Sequence, residues 1–155
     1  MGNELTTQNQ IHMKDVSGKS ETMRTALAQA VVTARPETIQ KIIDGDVEKG
    51  DVIATAVVAG IAAAKKTADL LPLCHPVRID AVNITVKPAG RQIVIEAAVK
   101  GRDRTGFEME ALTSATVAAL TIYDMCKPID PEIVIGEVLL LEKAGGKSGL
   151  WRRSS

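Results

Sequence analysis

The chain has 155 residues, the size of one domain and enough to bury a continuous core without disulfide or metal staples. Its 19 basic and 19 acidic residues cancel, which excludes the broad positive field that long nucleic acids require. Hydrophobic residues make up 45% but aromatics only 2%, with single Phe107, Tyr123 and Trp151. The core must therefore be assembled from Ala, Val, Ile and Leu, and its modest area per residue favours further burial between subunits.

Cys74 and Cys126 have neither the paired spacing of a disulfide framework nor that of a zinc knuckle, which fits a reducing, cytoplasmic compartment. The most apolar stretch, Val52 to Ala64, contains Thr55 and Gly60 and falls short of the roughly 20 residues that span a bilayer, so no membrane segment is expected. The opening MGNELTTQNQ lacks the basic and apolar regions of a signal peptide. Its match to the Met-Gly-x-x-x-Thr myristoylation pattern is too short to carry weight.

Residues 1–12 are polar and aperiodic and read as a flexible N-terminal tail, followed by a single domain over 13–149 and a C-terminal tail over 150–155. Arg24 to Ala34 is ambiguous, because the helix formers Ala26, Leu27, Ala28, Gln29 and Ala30 precede the strand formers Val31, Val32 and Thr33. Arg35-Pro36 starts a helix of about two turns that Gly45 ends. Asp51 caps a second helix, expected over Val52–Leu70, which Pro72 and Pro76 keep from continuing. Residues 79 to 87 alternate as a half-buried strand, and Pro88-Ala89-Gly90 turns the chain into Ile93, Ile95 and Ala97, a hairpin. Thr105 is expected to open a third helix, with Glu108 completing a capping box, and Pro128 to end it. Ile133 to Leu141 is the last strand. This order predicts an α+β fold with helices packed on one face of an antiparallel sheet, ferredoxin-like if residues 24–34 form a strand.

On a helical wheel Glu110, Ser114, Thr121, Asp124 and Lys127 share one polar stripe of an otherwise apolar third helix, which should then border a pocket or an interface. An ordinary surface ion pair between Asp124 and Lys127 is the competing reading, worth about 0.2–0.5 kcal/mol. Glu110 and Asp124 are roughly 21 Å apart along such a helix, too far to meet one small reacting centre within one chain. In Leu71-Pro72-Leu73-Cys74-His75-Pro76 two prolines stiffen the backbone around His75, which is suited to proton transfer or to a backbone hydrogen bond. Cys74 reads as a small buried side chain. Lys143-Ala144-Gly145-Gly146-Lys147-Ser148-Gly149 fails the P-loop pattern, since Leu141 stands where its first Gly belongs. It is either a solvated tail or a loop that wraps an anion through backbone amides and charge. Lys49 precedes a helix N-terminus, where anions bind, and equally suits an exposed turn.

Taken together, DVSGKSETMRTA, KGDVIATAVVAGIAAAKKTADLLPLCHP, TGFEMEALTSATVAALTIYDMCK and KAGGKSG resemble the cyclic pyranopterin monophosphate synthases of molybdenum cofactor biosynthesis, from about Asp15 to Gly149, with no motif position departing. The resemblance implies a ferredoxin-like subunit, which turns the ambiguous segment toward strand, and a homohexamer built as a trimer of dimers with active sites at the dimer interface. It implies a lyase that converts 3′,8-cyclo-7,8-dihydroguanosine 5′-triphosphate into cyclic pyranopterin monophosphate and releases pyrophosphate. Asp124 of YDMCK then corresponds to the catalytic acid/base, with Lys127 and Lys49 as partners. Leu73, Cys74 and His75 of PLCHP, with Met109 and Glu110 of EMEA, correspond to substrate contacts, and Glu108 is a further one. Lys143 and Lys147 are expected to share the triphosphate charge with Lys49 and Lys127. Mg²⁺ commonly accompanies triphosphates, but no carboxylate cluster offers ligand geometry and no resident metal is assigned. The rival readings are a regulatory nucleotide-binding module, since fold alone decides no function, and a structural oligomer. A nucleic-acid binder is disfavoured by the zero net charge and few aromatics.

Overall fold

The computed structural model describes residues 11–155, so the expected tail over 1–12 and the myristoylation pattern fall outside the described residues, apart from Ile11 and His12. Strand β1 (Thr22–Thr33) lies between β3 (Gln92–Asp103) and β4 (Val134–Ala144), with β2 (Ile79–Ala89) outside β3 and the short β5 (Trp151–Arg152) outside β4. Every pairing is antiparallel. Taken with the helices between the strands, this is the expected ferredoxin-like α+β arrangement.

The ambiguous segment is thus the most central strand. Ala26, Ala28, Ala30 and Val32 alternate into the core and are at most 3% exposed. Alanine brings no strand preference of its own, but hydrogen bonding to strands on both sides supplies what local propensity lacks. Small side chains there also let α4 (Glu108–Cys126) lie close over β1, with β3 and β4 to either side. Helix α2 (Val52–Lys65) packs beside α4 and over β2. The crossing is tight, because a Cβ on Gly60 would stand 2.5 Å from Ile84 Cδ1 and 3.1 Å from the Ser114 carbonyl oxygen.

Helix α1 (Pro36–Asp44) ends as expected at Gly45, in the left-handed conformation at φ 69°. Asp51 caps α2, accepting the Ala54 amide at 2.9 Å. The expected single helix over Val52–Leu70 is interrupted at Lys66, and Thr67–Leu70 form a separate turn, α3. Thr67 is buried, and its hydroxyl donates to the Ala63 and Ala64 carbonyls, both at 3.1 Å. That local bonding occupies carbonyls at the end of α2, where the Lys66 amide also turns back to the Ala63 carbonyl at 3.0 Å and the ladder bends. The hairpin turn is shorter than expected, since Pro88 and Ala89 still pair with Ile93 and Gln92, leaving Gly90-Arg91 to reverse the chain. β2 is an edge strand, where Pro88 is tolerated.

The capping box at Thr105 does not form. Helix α4 begins only at Glu108, after Phe107, with no side-chain cap. Phe107 is fully buried at that point, so burying the one phenylalanine ring decides where α4 starts, and the Glu108 carboxylate pairs with Lys143 on β4 instead. At the other end of the chain, Trp151 and Arg152, assigned to a C-terminal tail, pair with Lys143 and Glu142 as β5. Arg152 adds an ion pair to Glu142 at 2.6 Å.

Candidate active site

The site residues anticipated from the sequence fall into two groups at opposite ends of α4. The first lines a cleft of about 500 Å³ to which Leu73, Cys74, His75, Glu108, Met109, Glu110 and Lys143 all contribute. The stiff segment between Pro72 and Pro76 forms one wall. Its Cys74 is half-buried, so the small core side chain expected there is a cleft residue instead. Burial raises the Cys74 thiol, and the charges of Glu110 and Glu108 push it further the same way, which keeps it protonated and a poor nucleophile.

Glu110, in the first turn of α4, is 2% exposed. Burial raises its carboxyl to about 7, and the charges of Glu108 and Asp103 add to the effect. It therefore exchanges a proton in the neutral range, as a general acid or base must. Glu108 holds Lys143 Nζ at 3.0 Å across the cleft. Glu108 is freed if an anion takes the lysine.

Sequence reasoning missed three cations that line the same cleft: Lys14, Lys19 and Arg24. They lie in or beside DVSGKSETMRTA, where scattered single charges give no local pattern. Arg24 is placed by bonds from Nε to Thr22 Oγ1 at 3.1 Å and from Nη2 to the Arg104 carbonyl at 3.2 Å. The AGGKSG loop lies against it: Gly145 and Gly146 have φ of 104° and 71°, and a Cβ on Gly146 would stand 2.7 Å from the Arg24 guanidinium. Only glycine lets backbone come this close in this conformation. Lys147 lines an adjoining hollow together with Lys19, Arg24 and Ser148, so the segment folds onto the basic wall and is no free tail.

The second group lies where α4 ends. Asp124 Oδ1 is 3.0 Å from Lys127 Nζ, and its Oδ2 is 3.6 Å from Lys49 Nζ, which also donates to the Asp124 backbone carbonyl at 2.9 Å. The hydrogen bond from Lys127 and the nearby charge of Lys49 hold the Asp124 carboxyl below its usual range. The side chains are 58%, 52% and 42% exposed for Asp124, Lys127 and Lys49. An open carboxylate between two ammonium groups is more than the i, i+3 pair read from sequence, because Lys49 arrives from the loop before α2. Between the two groups the polar stripe is not one surface: Ser114 is fully buried at the α2 crossing, and the Thr121 hydroxyl donates to the Val117 carbonyl at 2.8 Å.

Among the described residues no group of three or more His, Cys, Asp and Glu is arranged to hold a metal ion, and no helix is long and apolar enough to cross a membrane. A basic cleft with a titrating carboxyl, joined on one ferredoxin-like scaffold to an acid flanked by lysines, defines an enzyme of anionic substrates.

The chain belongs to the MoaC family, which its residues 13–146 match. Its relatives include cyclic pyranopterin monophosphate synthases from Geotalea uraniireducens (strain Rf4), 56% identical over 153 residues, and from Geobacter metallireducens (strain ATCC 53774 / DSM 7210 / GS-15), 52% identical over 153 residues. Each alignment covers 97% of this chain and 96% of the relative.

Proposed function

We propose that this chain converts 3′,8-cyclo-7,8-dihydroguanosine 5′-triphosphate into cyclic pyranopterin monophosphate with release of pyrophosphate, a lyase step early in molybdenum cofactor synthesis, in the cytoplasm. One observation carries the reading: Lys14, Lys19, Arg24 and Lys143 converge on the cleft that also presents His75, Glu108 and Glu110. The cations suit a triphosphate, and the neighbouring polar groups suit a purine-derived ring. Lys147 extends the same positive wall.

Opening and reclosing the ring system requires protons to be taken and returned. Asp124 stays ionised at neutral pH and can accept one, while Lys127 or Lys49 can donate one. Closing the cyclic phosphate puts negative charge on the departing pyrophosphate, which the lysines and Arg24 neutralise. Mg²⁺ enters this reading as a companion of the triphosphate, not as a resident ion.

Glu110 and Asp124 belong to one reaction only if two chains supply them, so the working form is an oligomer with the site between subunits. A hexamer arranged as a trimer of dimers is the form we favour. The test is to incubate the purified protein with the cyclised dihydro-GTP and follow pterin and pyrophosphate together. Equal yields are expected from the wild type, and Asp124→Asn should lower turnover by a factor of about 10² or more without altering oligomer size. An authentic substrate that is bound but left intact would instead favour a regulatory nucleotide-binding module.

A further inference from the structure

The loop after α4 carries a carboxylate that neither group uses. Asp130 is completely buried. Its oxygens accept the Arg35 amide at 2.9 Å, Arg35 Nε at 3.2 Å, the Thr38 hydroxyl at 3.0 Å and the Glu132 amide at 3.2 Å. Its own amide donates to the Cys126 carbonyl at 2.9 Å, which folds the loop onto the last residue of α4. Burial alone would raise this carboxyl, but the Arg35 amide, the Thr38 hydroxyl and the Arg35 guanidinium outweigh it and hold Asp130 below the usual range. It is therefore an anion at working pH, set at a helix N-terminus where negative charge is favoured.

Arg35, the N-cap residue of α1, makes no side-chain cap of its own, and Asp130, 95 residues away, ties down the start of the helix by accepting the Arg35 amide and the hydroxyl of Thr38 in the first turn. The segment that starts there reaches Lys49 just before α2, and Lys49 bonds back to Asp124. Residues 35–49 are thus tied to the end of α4 twice, by Asp130 where they begin and by Lys49 where they end. Lys49 is held from its other side as well, by the Asp51 cap and by the packing of α2 along α4.

We infer that Asp130 is a positioning residue, which seats α1 and the loop after it against the end of α4 and so holds Lys49 on Asp124. The kinetic consequence rests on the function proposed above, whereas the placement of Lys49 does not. The experiment is a carbon-13 NMR titration of the Asp124 carboxyl beside steady-state kinetics, in the wild type, Asp130→Asn and Thr38→Val, with folding and oligomer size checked in each. Asp124 is faced by Lys49 from the loop and Lys127 from its own helix end. In Asp130→Asn its titration should therefore move up toward the ordinary aspartate value as Lys49 drifts away. Turnover should fall about ten- to a hundredfold with KM changed by less than about threefold. Thr38→Val, which removes one of the four bonds, should move both readouts the same way by less, and it decides the matter if Asp130→Asn does not fold. Folded variants that lose only melting temperature, with Asp124 titrating as in the wild type and turnover within about twofold, would reduce Asp130 to a structural tie at the start of α1. A wild type that titrates as described but forms no product would overturn the proposed reaction and leave the placement result standing.

Discussion

Glu110 and Asp124 stand fourteen residues apart on the same helix, α4, the first buried in a cleft wall and the second exposed between Lys49 and Lys127. At 1.5 Å per residue about 21 Å of helix separates them. A bend large enough to bring them together would break the buried packing of Ala111, Ala115, Ala118 and Ala119.

Under the function proposed above, two chains contribute to one centre, which hybrid oligomers can test. Glu110→Ala and Asp124→Asn chains, each inactive alone, should regain part of the activity when mixed and allowed to exchange subunits. A mixed site that receives both intact residues restores the reaction. No recovery after exchange has been verified by mass would count against a shared site.

Glu110 also predicts a pH dependence of stability. Its carboxyl is raised from 4.5 to about 7 in the folded chain, so the folded state binds the proton more tightly than the unfolded one. The stability this provides is fully present below 4.5 and is lost as pH rises through about 7. The loss is on the order of 3 kcal/mol. The stability of the wild type to urea should therefore fall between pH 4.5 and about 7, and Glu110→Gln should remove most of that slope. Parallel slopes in the two proteins would show that Glu110 does not carry the effect.

Gly101 on β3 lies against the Arg78 carbonyl, just before β2, and against the Phe107 ring. A Cβ there would collide with the Arg78 carbonyl and stand 2.6 Å from Phe107 Cζ, and neither a backbone carbonyl nor a fully buried ring can give way. Gly101→Ala should cost about 2–3 kcal/mol and weaken substrate binding, because Arg78 and Phe107 are chain neighbours of Val77, Gly106 and Glu108, which line the cleft. Gly136→Ala is the control: nothing lies within 4 Å of the added carbon, and stability should change by less than about 0.5 kcal/mol. Thermal melts of the two variants read the contrast.

Much of the site was legible before any coordinate, because rigid or patterned segments announce themselves. The stiff segment around Cys74 and His75 and the lysine before Asp51 are local features that each ended in one of the two clusters, whereas the polar stripe of α4 was divided between them, with Ser114 and Thr121 in neither. Lys14, Lys19 and Arg24 were not found because what unites them is a fold that lays the start of β1 beside the end of β4. The missed break at Lys66 and the late start of α4 have the same origin: buried Thr67 and buried Phe107 override the caps and periodicity of their own segments. Asp130 gave no signal at all, since its partners are 92 and 95 residues away.

By itself the sequence determined the order of elements, the strand alternation after Ile79, the caps at Asp51 and Gly45, and the family through its long motifs. These rest on interactions a few residues long, which pattern and propensity record. Only the tertiary structure decided that β1 is the central strand between β3 and β4, that the second helix breaks at Lys66, and that the cations of two distant segments share one cleft. Each of those depends on what a side chain meets across the sheet or the helix crossing, and such contacts leave no trace in the order of neighbouring residues.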